Sequence, residues 1–135
     1  MATLQSTRAE DLLETAAPGG ALDPEPLLGI WINTNPEPRG MVRVVLGRRG
    51  AALTVRVFGA GSPVPIDWGE VEGEVFAKDV KSREAMAFAA RYDFGFLRVD
   101  FQANVKQGVL VVASFNEFRD ASGRASYFTR EFFYR

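Results

Sequence analysis

From Gly29 to Arg135 a turn signal interrupts the chain about every ten residues, and most of the stretches between carry alternating apolar and polar side chains. Breaks such as Asn35-Pro36-Glu37-Pro38-Arg39-Gly40, Gly47-Arg48-Arg49-Gly50 and Lys106-Gln107-Gly108 combine residues that accept tight or left-handed backbone with residues that end a ladder. This rhythm confines the chain to short strands. Eight are expected, over residues 29–34, 41–46, 52–58, 67–77, 85–94, 96–105, 109–118 and 125–135. The alanines of the fifth would also suit a helix. Tyr92-Asp93-Phe94-Gly95-Phe96, aromatic residues set around a hairpin turn, favour the strand.

Eight sequential strands joined mainly by short turns predict an all-β fold, an eight-stranded antiparallel up-and-down barrel. Closure removes the unpaired edges that an open sheet of this size would expose. A barrel of eight strands is just wide enough to be filled by side chains or to hold one small ligand. At 135 residues the chain is one domain, divided here into residues 1–26 as an N-terminal tail or lid and 27–135 as the barrel. Residues 6–17 have the pattern of a short helix, with Thr7 and Glu10 as a capping box and Leu12, Leu13 and Ala16 on one stripe, stopped by Pro18-Gly19-Gly20.

Composition narrows the chemistry. The chain has no Cys and no His, which excludes disulfides, thiolate nucleophiles, zinc sites of the usual Cys/His type and Ser-His-Asp catalysis. No cofactor and no metal site are expected. Sixteen Lys and Arg against seventeen Asp and Glu leave no basic excess for a phosphate backbone, so no nucleic-acid partner is expected. The N-terminus has neither a basic n-region nor an apolar h-region, and no apolar run approaches the roughly 20 residues of a membrane helix. A cytoplasmic protein without membrane insertion is the expectation.

The first strand opens Leu27-Leu28-Gly29-Ile30-Trp31-Ile32-Asn33, after Asp23-Pro24-Glu25-Pro26. This resembles the G-x-W signature of lipocalins and their calycin relatives. The resemblance implies a 3₁₀ turn before Gly29, Trp31 lying across the barrel floor, and a basic residue of the last strand stacked over it. Arg130 is the first choice for that role and Arg135 the second. A guanidinium over an indole gains a cation–π contact while its donors cap carbonyls at the barrel end.

Nine of the eleven Phe lie after residue 85, enough either to pack a core or to line an apolar cavity. Trp31, Trp68, Phe88, Phe101, Phe115, Phe128, Phe132 and Tyr134 are the candidate ligand-binding residues. Polar residues on apolar strands come in adjacent pairs, Arg91 with Tyr92, Asn116 with Glu117 and Arg130 with Glu131, of which alternation sends one member inward. Tyr92, Glu117, Arg91 and Arg130 are the candidate catalytic groups if the protein is an enzyme. Val109-Leu110-Val111-Val112-Ala113 and Phe132-Phe133-Tyr134 are apolar on both faces, so an outer face needs cover, from a homodimer or from the N-terminal segment. The leading expectation is a barrel holding an apolar or amphipathic small molecule. The alternatives are a cofactor-free cyclase or isomerase for a hydrophobic substrate, and a protein-interaction module.

Overall fold

Glycine or proline falls in each break between strands except the polar run 78–84. In a computed structural model, which describes residues 22–135, the strands are β1 (Gly29–Asn33), β2 (Met41–Arg49), β3 (Ala52–Gly59), β4 (Ile66–Ala77), β5 (Ala85–Asp93), β6 (Leu97–Lys106), β7 (Val109–Phe118) and β8 (Tyr127–Tyr134). Each pairs antiparallel with the next, and β1 pairs with β8 through Ile32–Tyr134 and Asn33–Phe133, closing the barrel. The expected up-and-down barrel is therefore the fold. The expected helix over residues 6–17 lies outside the described residues.

β2 runs three residues beyond its expected end. Gly47, Arg48 and Arg49 pair with Thr54, Leu53 and Ala52, and the turn is taken by Gly50 at φ 61°. Gly47 stays in the ladder because its bare Cα leaves room for Thr54, whose Oγ1 would lie 3.0 Å from an added Cβ.

One end of the barrel is shut by local sequence. Pro24 starts a 3₁₀ turn over Glu25–Leu27, and Leu27 is fully buried beneath the strands. Trp31 follows four residues later, also fully buried, with its indole Nε1 donating to the Leu27 carbonyl at 2.9 Å. Gly29, at φ 140°, lets the chain turn from the 3₁₀ segment into β1. The guanidinium over the Trp31 ring belongs to Arg135, 4.3 Å from its centroid, and not to Arg130. Arg130 lies on the outward face of β8, because Ala113, its ladder partner, faces outward on β7.

β6 alternates cleanly, with Val99, Phe101 and Ala103 buried inside. On β4 the acids Glu70, Glu72 and Glu74 face solvent while Val71 and Val75 pack inward, as their spacing requires. β8 is inverted. Thr129, Glu131 and the fully buried Phe133 point into the barrel, whereas Phe128, Phe132 and Tyr134 lie exposed on its outer wall. The second half of β7 follows the same rule, with Ser114 and Asn116 inside and Phe115 outside.

Candidate functional site

The inversion of β7 and β8 builds a polar wall at the barrel end opposite Trp31. That end opens into a cavity of about 600 Å³, inside the range of roughly 300–1,000 Å³ typical of small-molecule sites. Ser114, Asn116, Thr129 and Glu131 line one side, and Trp68, Phe94, Leu97 and Val99 line the other.

A β-bulge places Trp68. Arg56 pairs with Glu70 but Phe58 pairs with Asp67, so β4 carries one residue more than β3 between these rungs. Gly69 absorbs the extra residue at φ 89°. The bulge reverses the inward parity of β4. Odd positions such as Val71 point inward on one side of it, and Trp68, an even position, points inward on the other. Gly59 completes the seat, since an added Cβ would stand 2.5 Å from the indole nitrogen. Trp68 then packs edge-on against Tyr92 and Phe94, with ring centroids 5.7 Å away in each case, and stacks on Phe101 at 6.3 Å. Asp67, which the loop sequence sets beside Trp68, faces outward instead. Its carboxylate pairs with Arg56 and accepts from the Gly69 amide, and these contacts hold its pKa below the usual value.

The bulge also explains Tyr92. Its buried hydroxyl accepts from the Val57 amide at 3.1 Å and donates to the Gly69 carbonyl at 2.6 Å, two backbone groups beside the bulge. Burial pushes the phenol pKa up to about 12. The hydroxyl is a structural hydrogen-bonding group already supplied with partners, and not a free acid or base.

Glu131 is the carboxyl of the polar wall. It is half-buried, with Oε1 accepting from Asn33 Nδ2 at 3.2 Å and Oε2 from the Met41 amide at 3.4 Å. Gly40 makes the space, because a Cβ there would meet both carboxylate oxygens at 3.2 Å. Asn33 is anchored in turn, donating to the Met41 carbonyl at 2.8 Å and accepting from the Asn35 amide. Burial raises the Glu131 pKa above its ordinary value, and the bonds from Met41 and Asn33 offset only part of that. No cation pairs with it among the described residues. Beside it, the buried Ser114 Oγ has no hydrogen-bond partner among the described residues. The arrangement presents a half-buried carboxyl to whatever enters, facing an aromatic wall, with Glu37 and Arg39 at the lining as well.

Of the residues singled out from sequence, Trp68 lines this cavity, and Phe101 packs behind it. Trp31 and Phe88 are buried in the packed core and do not line this cavity. Phe115, Phe128, Phe132 and Tyr134 stand on the outer wall, outside the interior where they were expected. Arg91, Glu117 and Arg130 are outside as well. Arg91 pairs with Asp100 at 2.6 Å and Glu117 with Arg98 at 3.2 Å, as cross-strand neighbours on the solvent face. In two of the three polar pairs alternation sends the other member inward: Asn116 in place of Glu117, and Glu131 in place of Arg130.

Comparison with protein-family models, with curated proteins and with solved structures gives no match.

Proposed function

We propose that this protein binds one amphipathic small molecule in the open end of its barrel. The apolar part would lie against Trp68 and Phe94, and a hydrogen-bond donor on the ligand would reach Glu131. The observation that carries this reading is the half-buried Glu131 carboxyl, unpaired by any cation among the described residues, set across a cavity of about 600 Å³ from Trp68 and Phe94. Each Glu131 carboxylate oxygen accepts one bond from the fold and has a lone pair to spare, so a ligand donor adds a charge-assisted bond in a partly desolvated site. The floor of Trp31 under Arg135 supports placing the barrel with the calycins, and that placement is part of the proposal.

A cofactor-free isomerase or cyclase is the second reading, and Glu131 is what favours it. A carboxyl whose pKa is raised by burial is suited to take a proton from carbon and return it. Tyr92 is bound up in the β3–β4 bulge, and Arg91, Glu117 and Arg130 lie outside the cavity.

The test is native mass spectrometry of the protein from its own host, followed by extraction, with titration of N-phenyl-1-naphthylamine as a neutral probe. One small molecule per chain, or one probe site lost in Trp68→Ala and kept in Phe132→Ser, is the expected result. An empty protein whose probe binding ignores Trp68→Ala overturns the reading. Chemical change of the captured molecule on incubation, abolished by Glu131→Gln, would select the enzyme over the carrier.

A further inference from the structure

The inversion that places polar groups inside β7 and β8 leaves their aromatic residues outside. Ladder register arranges the outer wall in rows that run from β4 to β8. One row reads Phe76, Ala87, Asn104, Val111, Phe132, and the next reads Glu74, Ala89, Gln102, Ala113, Arg130. A third continues from Arg91 through Asp100 and Phe115 to Phe128. In the first two rows alanine or valine on β5 and β7 flanks the polar Asn104 and Gln102 of β6, and larger side chains stand on β4 and β8. The wall, which a barrel should make convex, therefore carries shallow grooves of about 420 and 580 Å³. Phe115, Phe128 and Phe132 are 45–51% exposed on this wall, and the Phe115 and Phe128 rings pack together with centroids 5.2 Å apart.

The rows have a symmetry of composition about β6. In the first two rows each position on β4 or β5 has a counterpart at the same level on β8 or β7. Phe76 matches Phe132, Ala87 matches Val111, Ala89 matches Ala113, and the anion Glu74 matches the cation Arg130. Glu74 and Arg130 have no ion partner among the described residues. Within one chain they are four strands apart, about 19 Å along the wall, and cannot meet.

We infer that this face binds a second copy of the chain about a two-fold axis parallel to the strands and passing over Gln102. Such an axis carries β4 of one copy over β8 of the other, and β5 over β7, at unchanged level. Glu74 then meets the partner's Arg130 twice, once on each side of the axis, as an isologous interface demands. Phe76 packs on the partner's Phe132, the alanines of β5 and β7 allow close approach, and Arg91 lies over the partner's Phe115. The same axis runs along β6 and brings Asp100 onto its own copy, but each Asp100 is already paired with Arg91 and Arg98. An axis running across the strands at the same level would instead set the unpaired Arg130 on Arg130 and Glu74 on Glu74. Charge selects the first arrangement.

Sedimentation of the full chain over a concentration series tests this, with Glu74→Arg, Arg130→Glu and the double exchange. The expected result is a dimer whose dissociation constant rises at least tenfold in each single variant and returns toward the original in the double. A monomer throughout overturns the inference and leaves the face to the first 21 residues or to another protein. A dimer indifferent to the three variants overturns it as well. Circular dichroism separates loss of the interface from loss of the fold.

Discussion

The guanidinium of Arg135 lies 4.3 Å from the centroid of the Trp31 ring and donates to the Leu28 carbonyl at 2.6 Å. The last residue of the chain thus clamps the start of the first strand at the short β1–β8 seam. The seam has two ladder pairs, Ile32–Tyr134 and Asn33–Phe133, so a side chain that bridges it matters more than elsewhere on the wall.

Trp31→Ala is expected to destabilise the fold by about 3–5 kcal/mol, the usual effect of truncating a buried tryptophan. Arg135→Ala removes the cation–π contact and the carbonyl cap from an exposed side chain, and about 1 kcal/mol is expected. Urea denaturation followed by circular dichroism measures both.

Tyr92→Phe keeps the ring cluster with Trp68 and Phe94 but leaves the Val57 amide and the Gly69 carbonyl without their partner. A loss of about 1–3 kcal/mol is expected, the range for orphaned buried backbone groups. Because the hydroxyl faces the bulge, probe affinity at the mouth should change less than twofold. A large loss of affinity with unchanged stability would contradict this role.

Gly59→Ala puts a Cβ 2.5 Å from the Trp68 nitrogen, closer than side chains tolerate. The indole must leave its seat. A red-shifted tryptophan emission and loss of the mouth probe site are the expected pair of changes, and Trp31, fully buried at the other end, should be unaffected.

For Glu131 the direction of pH dependence follows from its raised pKa. Between the ordinary value of 4.5 and the higher folded value the native state binds more protons than the unfolded chain. Stability therefore falls as pH rises through that window. Glu131→Gln, which like the protonated acid keeps one carbonyl oxygen for Asn33 or for the Met41 amide, should flatten this slope. Its advantage over the original chain should grow above pH 4.5 and vanish below it. Parallel melts across the window would show a constant difference if Glu131 were not responsible.

Ser114→Ala removes a buried hydroxyl that has no partner among the described residues. Stability is expected to hold or to rise by up to about 1 kcal/mol. Because the hydroxyl is covered, binding of a donor-bearing ligand should change less than twofold in the same variant, and calorimetry reads both effects.

Much of the wall was legible in the sequence. The Gln107-Gly108 turn sets Lys106 opposite Val109, and counting outward from it sets Arg98 opposite Glu117. Since Arg98 falls on the polar side of a cleanly alternating strand, Glu117 was already placed outside by its turn. Gly69 within a strand was the mark of the bulge that turns Trp68 inward. The connection from Phe118 to Tyr127 has no such tight turn, so the register of β8, and with it the choice between Arg130 and Glu131, was not legible.

Local physics decides the strand count, the closed end under Trp31 and the solvated acids of β4. Turn residues act on their own backbone, and alternation acts within one strand. The facing of β8 depends on what its neighbours leave unfilled. Phe133 is drawn inside to complete the core at the closed end, and period two then carries Thr129 and Glu131 inward and Phe128 and Phe132 out. Tertiary packing alone made that choice, because the strand is amphipathic in neither direction until one of its residues is anchored.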